Sequence, residues 1–147
     1  MGLKESLVDI GFKGLNTFHR SVLRLGGGRI GRSAFGMKVV ALRTTGRRSG
    51  LIRVTMLTAP IVESDMVVLV ASKGGDDRDP DWYRNVVAHA DIELTIDGDR
   101  MLMRAHAATP EEKARLWPRV VSAYKPYASY QRRSKRDIPL VICRPRS

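Results

Sequence analysis

The chain is poor in the residues that several protein classes require. Its 147 residues include one cysteine, Cys143, and three scattered histidines, His19, His89 and His106. A single cysteine excludes an internal disulfide, and this spacing matches no metal-ligand pattern, so we expect no bound metal. No apolar run approaches the roughly 20 residues of a membrane-spanning helix, and no signal-peptide pattern opens the chain, which favours a cytoplasmic protein.

Acidic residues are also scarce, since 15 Asp and Glu stand against 26 Lys and Arg, for a net charge of +11. The excess is regional: +9 over residues 1–58, −5 over 59–109 and +7 over 110–147. A nucleic-acid-binding module is one interpretation, but the tail clusters Arg132-Arg133 and Lys135-Arg136 come with no recognition motif. Nor is there a nucleophile elbow, a Walker loop or a dinucleotide fingerprint, so hydrolysis and nucleotide triphosphate chemistry have no support.

The best-defined pattern is a predicted hairpin with a basic tip. Apolar, β-branched runs over residues 39–45 and 51–59 flank the loop Gly46-Arg47-Arg48-Ser49-Gly50. Glycine permits positive φ, and the arginines, with Arg53 two residues beyond the loop, suit a phosphate or another anion. The alternative is an exposed turn that its arginines make soluble.

A second loop follows a buried strand. The apolar run from Met66 predicts a strand over residues 66–72, which opens into Ser72-Lys73-Gly74-Gly75. Asp79 is a good N-cap and Pro80 suits the first helical position, so we expect a helix to about Ala90. The loop after this strand would therefore place the Ser72 hydroxyl, the Lys73 ammonium and two conformationally free glycines together at one edge of the sheet.

The remaining elements predict a mainly β fold with inserted helices. Residues 92–96 alternate cleanly, Asp97-Gly98 is a turn signal, and a return strand begins near Met101. A capping box at Thr109 starts a helix through about Ala123, and residues 138–143 form a closing strand. Strands paired mostly as hairpins favour an antiparallel barrel over βαβ units.

Apolar residues also recur at helical spacing from Leu3 to Leu25, with basic residues on other faces. An amphipathic helix of this kind packs on the barrel or across a dimer, or it lies on an anionic membrane. The glycine-rich stretch 26–37 predicts a mobile connector. We therefore divide the chain into residues 1–37 and a cofactor-binding domain over 38–147.

Three motifs carry a resemblance to a known family: residues 45–50 (TGRRSG), 70–75 (VASKGG) and 79–85 (DPDWYRN). In this order and at this spacing they resemble the deazaflavin-dependent nitroreductases over residues 38–144. The resemblance implies a split β-barrel, similar to flavin reductases and pyridoxamine-phosphate oxidases, that uses coenzyme F420. It also implies hydride transfer from C5 of the reduced deazaflavin to a quinone or a nitroaromatic compound.

The resemblance assigns roles to individual residues. The resemblance implies that Arg47, Arg48 and Arg53 hold the phosphate and acidic tail of the cofactor. Guanidinium groups suit this role because they form bidentate contacts with phosphate and carboxylate groups. Ala71, Ser72, Lys73 and Gly74 lie along the deazaflavin ring. Trp82 and Asn85 help to close the pocket, although a tryptophan in a helix is as readily a core residue.

Tyr124, Tyr127 and Tyr130 are spaced by three, so in a helix they share one face. They form either an aromatic packing stripe or a substrate wall over the cofactor. The family pattern matches Tyr127, Tyr130 and Ser72, and it therefore favours the substrate wall. By this resemblance these three residues are the catalytic ones. Tyr127, or water, would then supply the proton as hydride arrives.

Two departures from the family pattern qualify these assignments. The family commonly has a proline near Met56, where this chain has none, and the insert at residues 76–79 is more acidic than usual, which would favour neutral acceptors. Open alternatives are a split barrel that binds flavin mononucleotide or haem and a non-catalytic F420 carrier. The expected partners are a lipophilic acceptor and, through residues 1–25, the inner face of the membrane, with the protein a monomer or homodimer.

Overall fold

The computed structural model describes residues 33–146. The predicted amphipathic helix and most of the glycine-rich connector lie outside this range. Within it, the strands are β1 (Ser33–Ala34), β2 (Met37–Thr45), β3 (Ile52–Ala59), β4 (Ile61–Val62), β5 (Val67–Val70), β6 (Asp91–Ile96), β7 (Asp99–Ala107) and β8 (Leu140–Pro145). The helices are a 3-10 helix (Lys73–Gly75), α1 (Asp81–Ala88), α2 (Pro110–Ala123) and α3 (Pro126–Arg133).

The strands form one antiparallel sheet that curls towards a half-barrel. Its order is β1-β2-β6-β7-β8-β5-β4, and β3 pairs with β2 over residues 52–59. Neighbouring strands in this part of the chain all run antiparallel. The predicted preference for an antiparallel barrel over βαβ units is therefore confirmed.

Strands β5 and β8 separate two apolar clusters, which explains the unbroken apolar runs at residues 67–70 and 140–143. Val67 and Leu69 of β5 join the cluster inside the barrel, whereas Val68 and Val70 join a second cluster beneath α2 and α3. Successive side chains of a strand point to opposite faces, so a strand covered on both sides needs apolar residues throughout. The helices α2 and α3 are thereby held against the outer face of these two strands.

Cys143 lies on β8 and is completely buried in the cluster inside the barrel. Loss of hydration raises the pKa of its thiol to about 12. The apolar run at residues 140–143 thus places the thiol in the core, where it stays protonated at neutral pH.

Two local predictions need correction. Residues 33–37, which the sequence assigns to the connector, form a tight hairpin in which Phe35 (φ 55°) and Gly36 (φ 78°) make the turn. Helix α1 begins at Asp81, with Pro80 in the N-cap position and no capping side chain. Asp79 does not cap the helix because its carboxylate pairs with Arg136 instead.

Short-range signals are confirmed. Asp97 (φ 53°) and Gly98 (φ 86°) form the turn between β6 and β7. The capping box at the start of α2 is complete: the Glu112 amide donates to Thr109 Oγ1 (3.1 Å), and the Thr109 amide donates to Glu112 Oε1 (2.9 Å).

Thr109→Ala should lower the free energy of unfolding by about 1 kcal/mol, because it leaves an amide at the start of α2 without its acceptor. Ser122→Ala is the matched control, since Ser122 is exposed in the same helix. Urea denaturation of both variants measures the difference. Equal stabilities would show that the capping box does not stabilise α2.

Candidate active site

The hairpin tip at residues 46–50 has a fixed backbone. The Gly46 amide donates to the Leu51 carbonyl (2.7 Å), and the Gly50 amide donates to the Gly46 carbonyl (2.9 Å). A Cβ on Gly46 would lie 2.7 Å from Ser49 Oγ and 3.1 Å from the Leu51 oxygen, and Gly50 has φ +72°. Both glycines are therefore required by the turn itself.

Arg47 attaches the hairpin tip to helix α1. Its amide and its Nη1 both donate to Asn85 Oδ1, at 3.1 and 2.9 Å, and its Nη2 lies 3.4 Å from Asp81. Asn85 is buried, so it serves as an internal acceptor. Of the three predicted phosphate-binding arginines, Arg47 is thus engaged by the protein, and Asn85 holds the hairpin in place.

Arg48 and Arg53 have the opposite character. Both are exposed. Neither forms an ion pair with a carboxylate of residues 33–146. Exposed guanidinium groups next to a rigid backbone suit a phosphate or carboxylate ligand. The donor set therefore fits an anionic cofactor of the kind that the family motifs imply.

The rim loop, residues 71–79, leaves the end of β5 through a left-handed turn. Lys73 (φ 45°), Gly74 (φ 64°) and Gly75 (φ 87°) all have positive φ. A Cβ on Gly75 would lie 3.1 Å from both the Cα and the carbonyl oxygen of Tyr130. Gly75 therefore lets the rim loop pack directly on the backbone of α3.

A clamp segment, residues 133–136, binds the rim loop through each of its residues. Arg133 Nη2 donates to the Gly74 oxygen (3.3 Å), and Ser134 Oγ donates to the Asp76 oxygen (3.3 Å). The Lys135 amide donates to Asp77 Oδ1 (2.7 Å). Sequence analysis missed this function, because it treated these residues as a basic tail and no local pattern marks them otherwise.

Arg136 makes the most contacts in the clamp segment. Its Nη2 donates to the carbonyl oxygens of Ala71 (2.9 Å) and Ser72 (3.2 Å), and its Nε donates to that of Asp76 (3.0 Å). Its Nη1 lies 3.1 Å from Asp79 Oδ1 in an ion pair without hydrogen-bond geometry. Only 15% of the side chain is exposed.

Three carboxylates of the acidic insert accept hydrogen bonds or ion pairs from the protein itself. Asp76 accepts from the amide (2.8 Å) and the guanidinium of Arg78, and this hydrogen bonding lowers its pKa to about 2. Asp77 and Asp79 contact the clamp segment. These carboxylates hold the loop in shape, and a preference of the insert for neutral acceptors stays a prediction.

The three tyrosines form one cluster, although Tyr124 precedes α3. Ring centroids lie 5.1 Å apart for Tyr124 and Tyr127, and 6.1 Å apart for Tyr127 and Tyr130. The Tyr127 hydroxyl lies 3.4 Å from Thr58 Oγ1 on β3 and donates to Met37 Sδ (3.8 Å). Tyr127 is therefore a packing residue of the cluster beneath α2 and α3, and Tyr124 and Tyr130 pack against that cluster while partly exposed.

Burial raises the pKa of Tyr127, and a hydrogen bond with Tyr124 raises the pKa of Tyr130. Both phenols therefore stay protonated at neutral pH and can act as donors. The Arg133 guanidinium lies over the Tyr130 ring, 5.3 Å from its centroid.

The remaining predicted residues divide between core and rim. Trp82, 7% exposed, packs in the cluster inside the barrel, and its ring meets that of Tyr83 edge-on. Ala71 is completely buried, so only its backbone contributes to the rim, and Ser72 is nearly buried at the start of the turn. These contacts form two pairs: the rim loop packs on the helix that carries Tyr127 and Tyr130, and the hairpin tip is bonded to α1. Helix α1 directly follows the rim loop in the chain.

Neither a metal site nor a membrane span is found in the described range. Residues 33–146 contain no group of three His, Cys, Asp or Glu side chains that could hold a metal ion. No helix in this range is both long and apolar enough to cross a bilayer.

Comparison with known proteins agrees with this geometry. The family model described as F420H(2)-dependent quinone reductase matches residues 16–145. A Mycobacterium tuberculosis H37Rv protein named as an F420H(2)-dependent quinone reductase is 37% identical over 128 residues, which are 84% of this chain and 85% of its own length.

Two solved structures are similar at comparable levels. One is an F420-H2-dependent reductase, FDR-A, with 36% identity and a TM-score of 0.65, covering 71% of this chain and 92% of its own. The other, a domain-swapped dimer, has 31% identity and a TM-score of 0.68, covering 88% and 98%. The predicted split-barrel fold and the family resemblance are confirmed.

Asp76→Asn should destabilise the protein at neutral pH but not in acid. The wild-type pKa of about 2 lies below the ordinary 3.8, so the stabilisation is complete above pH 3.8 and is lost as the pH falls to about 2. Because solvent screens this partly exposed pair, we expect a loss of at most about 1 kcal/mol at pH 7 that vanishes near pH 2, measured by urea denaturation. Asp99→Asn, an exposed control, should change neither value, and a difference that persists at pH 2 would contradict the assignment.

Proposed function

The chain belongs to the F420H(2)-dependent quinone reductase family, and from this membership we propose that it passes hydride from reduced coenzyme F420 to a quinone. Bound reduced F420 supplies the hydride from its C5 position. A nitroaromatic compound is the second acceptor class that we propose, because it is likewise electron-poor. The protein's own work is to bind, orient and protonate, and such positioning accounts for most of the acceleration in reactions of this type.

The observation that carries the proposal is the pair of exposed guanidinium groups beside the rigid hairpin tip. We assign Arg48 and Arg53 to the phosphate and acidic tail of the cofactor, since no carboxylate of residues 33–146 pairs with them. Arg47 acts differently. Its bonds to Asn85 fix the tip on α1, so that the two exposed arginines start from a defined backbone.

The rim loop would lie along the ring of the cofactor. Positive φ at Lys73 and Gly74 turns the backbone outward, and Gly74 presents no side chain, so a planar ring can approach the peptide groups closely. Ser72 contributes a hydroxyl to the same edge. In this arrangement Trp82 and Ala71 support the site from the core.

The tyrosine cluster would form the wall for the acceptor and the source of the proton. Tyr127 remains the proposed donor, because its raised pKa keeps the phenol protonated and its hydroxyl is held between Thr58 and Met37. Tyr124 and Tyr130 are more exposed and would contact the acceptor. Water is the alternative proton source.

Assembly and location complete the proposal. A homodimer is supported by the similar structure that is a domain-swapped dimer. Contact of residues 1–25 with the cytoplasmic membrane face remains a prediction from their sequence, and it fails if deletion of these residues leaves liposome binding unchanged.

Replacing Arg48 and Arg53 together by methionine should weaken F420 binding at least tenfold, because each bond between an arginine and an anion contributes about 1.5–3 kcal/mol before screening. Titration followed by cofactor fluorescence gives the affinity, and addition of menadione to the reduced complex gives turnover. Arg115→Met combined with Arg132→Met is the matched control, since it likewise removes two charges, from exposed positions on α2 and α3.

No binding of F420 by the wild-type protein at micromolar concentration would overturn the proposal. A yellow or red purified protein would then favour flavin or haem. Binding without oxidation by any acceptor would identify a carrier instead.

Tyr127→Phe should lower kcat for menadione about 100-fold and leave the KM for F420 unchanged, because it removes the proposed proton donor and retains the ring. Tyr130→Phe should have a smaller effect on kcat and a larger one on the KM for menadione. Steady-state kinetics separate these outcomes. A larger fall in kcat for Tyr130→Phe would transfer the role of donor to Tyr130, and unchanged rates in both variants would indicate water.

A further inference from the structure

The carbonyl oxygens that begin the rim loop have left the sheet. The paired residues of β5 and β8 end at Val70, and the chain then turns left-handed at Lys73, Gly74 and Gly75, so the oxygens of Ala71 and Ser72 lie outside the ladder. The Ser72 oxygen accepts from the Gly75 amide (2.9 Å), whereas the Ala71 oxygen receives no backbone amide from the described residues. A buried carbonyl group without a donor is destabilising, so the start of the rim loop needs a donor from elsewhere in the chain.

Arg136 is that donor for both oxygens and for the Asp76 oxygen at the far side of the turn. A guanidinium group presents several N–H bonds in a fixed plane, so one side chain can span the two ends of the loop. A lysine ammonium at this position has a single centre and cannot reach all three oxygens in the same way.

The backbone at Arg136 is itself held in place. Gln131 Nε2 donates to the Arg136 carbonyl (2.9 Å), and Gln131 Oε1 accepts from the Ile138 amide (2.9 Å). Lys113 of α2 donates to the Ile138 carbonyl (2.8 Å). The guanidinium group therefore starts from a segment that is fixed to both α2 and α3.

We infer that Arg136 is a positioning residue that holds the rim loop in the conformation that binds F420. The identity of the ligand, F420, rests on the proposed function, whereas the restraint of the loop by Arg136 rests on the observed hydrogen bonds. Without these bonds the rim loop keeps only its weaker contacts with Arg133, Ser134 and Lys135, and the cofactor must order the loop as it binds.

The test compares Arg136→Met with Arg132→Met. Arg132 is exposed, contacts Ser129 of its own helix and carries the same charge, so its replacement controls for electrostatic attraction of the cofactor. Hydrogen exchange of the cofactor-free proteins should rise at least tenfold at the amides of Gly75 and Asp76 in Arg136→Met, and stay unchanged in Arg132→Met. These amides close the turn by bonding to the Ser72 and Lys73 oxygens.

The second measurement is F420 affinity by fluorescence titration. Arg136→Met should bind at least tenfold more weakly than Arg132→Met, and its KM for F420 should rise while its KM for menadione does not. Arg136→Lys should recover only a small part of the affinity, although it keeps the charge. It also serves as the test variant if Arg136→Met fails to fold.

Binding by Arg136→Met within twofold of Arg132→Met would overturn the inference, as would unchanged exchange at Gly75 and Asp76. Full recovery by Arg136→Lys would also overturn it, since charge alone would then be sufficient. Failure of the wild-type protein to bind F420 would remove the proposed function, and the exchange measurement would still decide whether Arg136 holds the loop.

Discussion

The hydrogen bonds that the rim loop receives from the clamp segment determine how the rest of the site is arranged. A loop that turns left-handed at the end of a buried strand exposes carbonyl groups to the protein interior, where each needs a donor. The donors come from the connection between α3 and β8. Satisfying the loop therefore also fixes the helix that carries Tyr127 and Tyr130, and Gly75 is the residue that allows the two backbones to meet.

At the hairpin tip, too, an arginine satisfies a buried acceptor, but here the arginine belongs to the loop and the acceptor to the neighbouring helix. There the acceptor, Asn85, is buried in a helix, and the donors come from the arginine of the loop. The arginines of the site consequently divide into two kinds. Arg47 and Arg136 satisfy internal acceptors, whereas Arg48 and Arg53 are exposed, and net charge alone could not have separated them. This division also weakens the interpretation of the tail as a nucleic-acid-binding cluster.

Sequence alone predicted the features that depend on neighbouring residues. The Asp97-Gly98 turn, the capping box at Thr109 and the doubly buried strands follow from local chemistry and periodicity, and the family motifs identified the fold and the cofactor. The contacts of Arg136 join residues 57 to 65 positions apart, and those of Arg47 reach across 34 to 38. No local pattern encodes such distances, so the pairing of hairpin tip with α1 and of rim loop with clamp segment emerged only from the structure.

The position of the thiol on β8 has a chemical consequence for an enzyme of this family. Quinones are electrophiles that add to thiolates, and an exposed, ionised cysteine would be arylated by them. In this chain the single sulfhydryl group is sealed inside the barrel and stays protonated far above neutral pH, with a pKa of about 12. The fold thus leaves no exposed thiol to react with an electrophile of this kind.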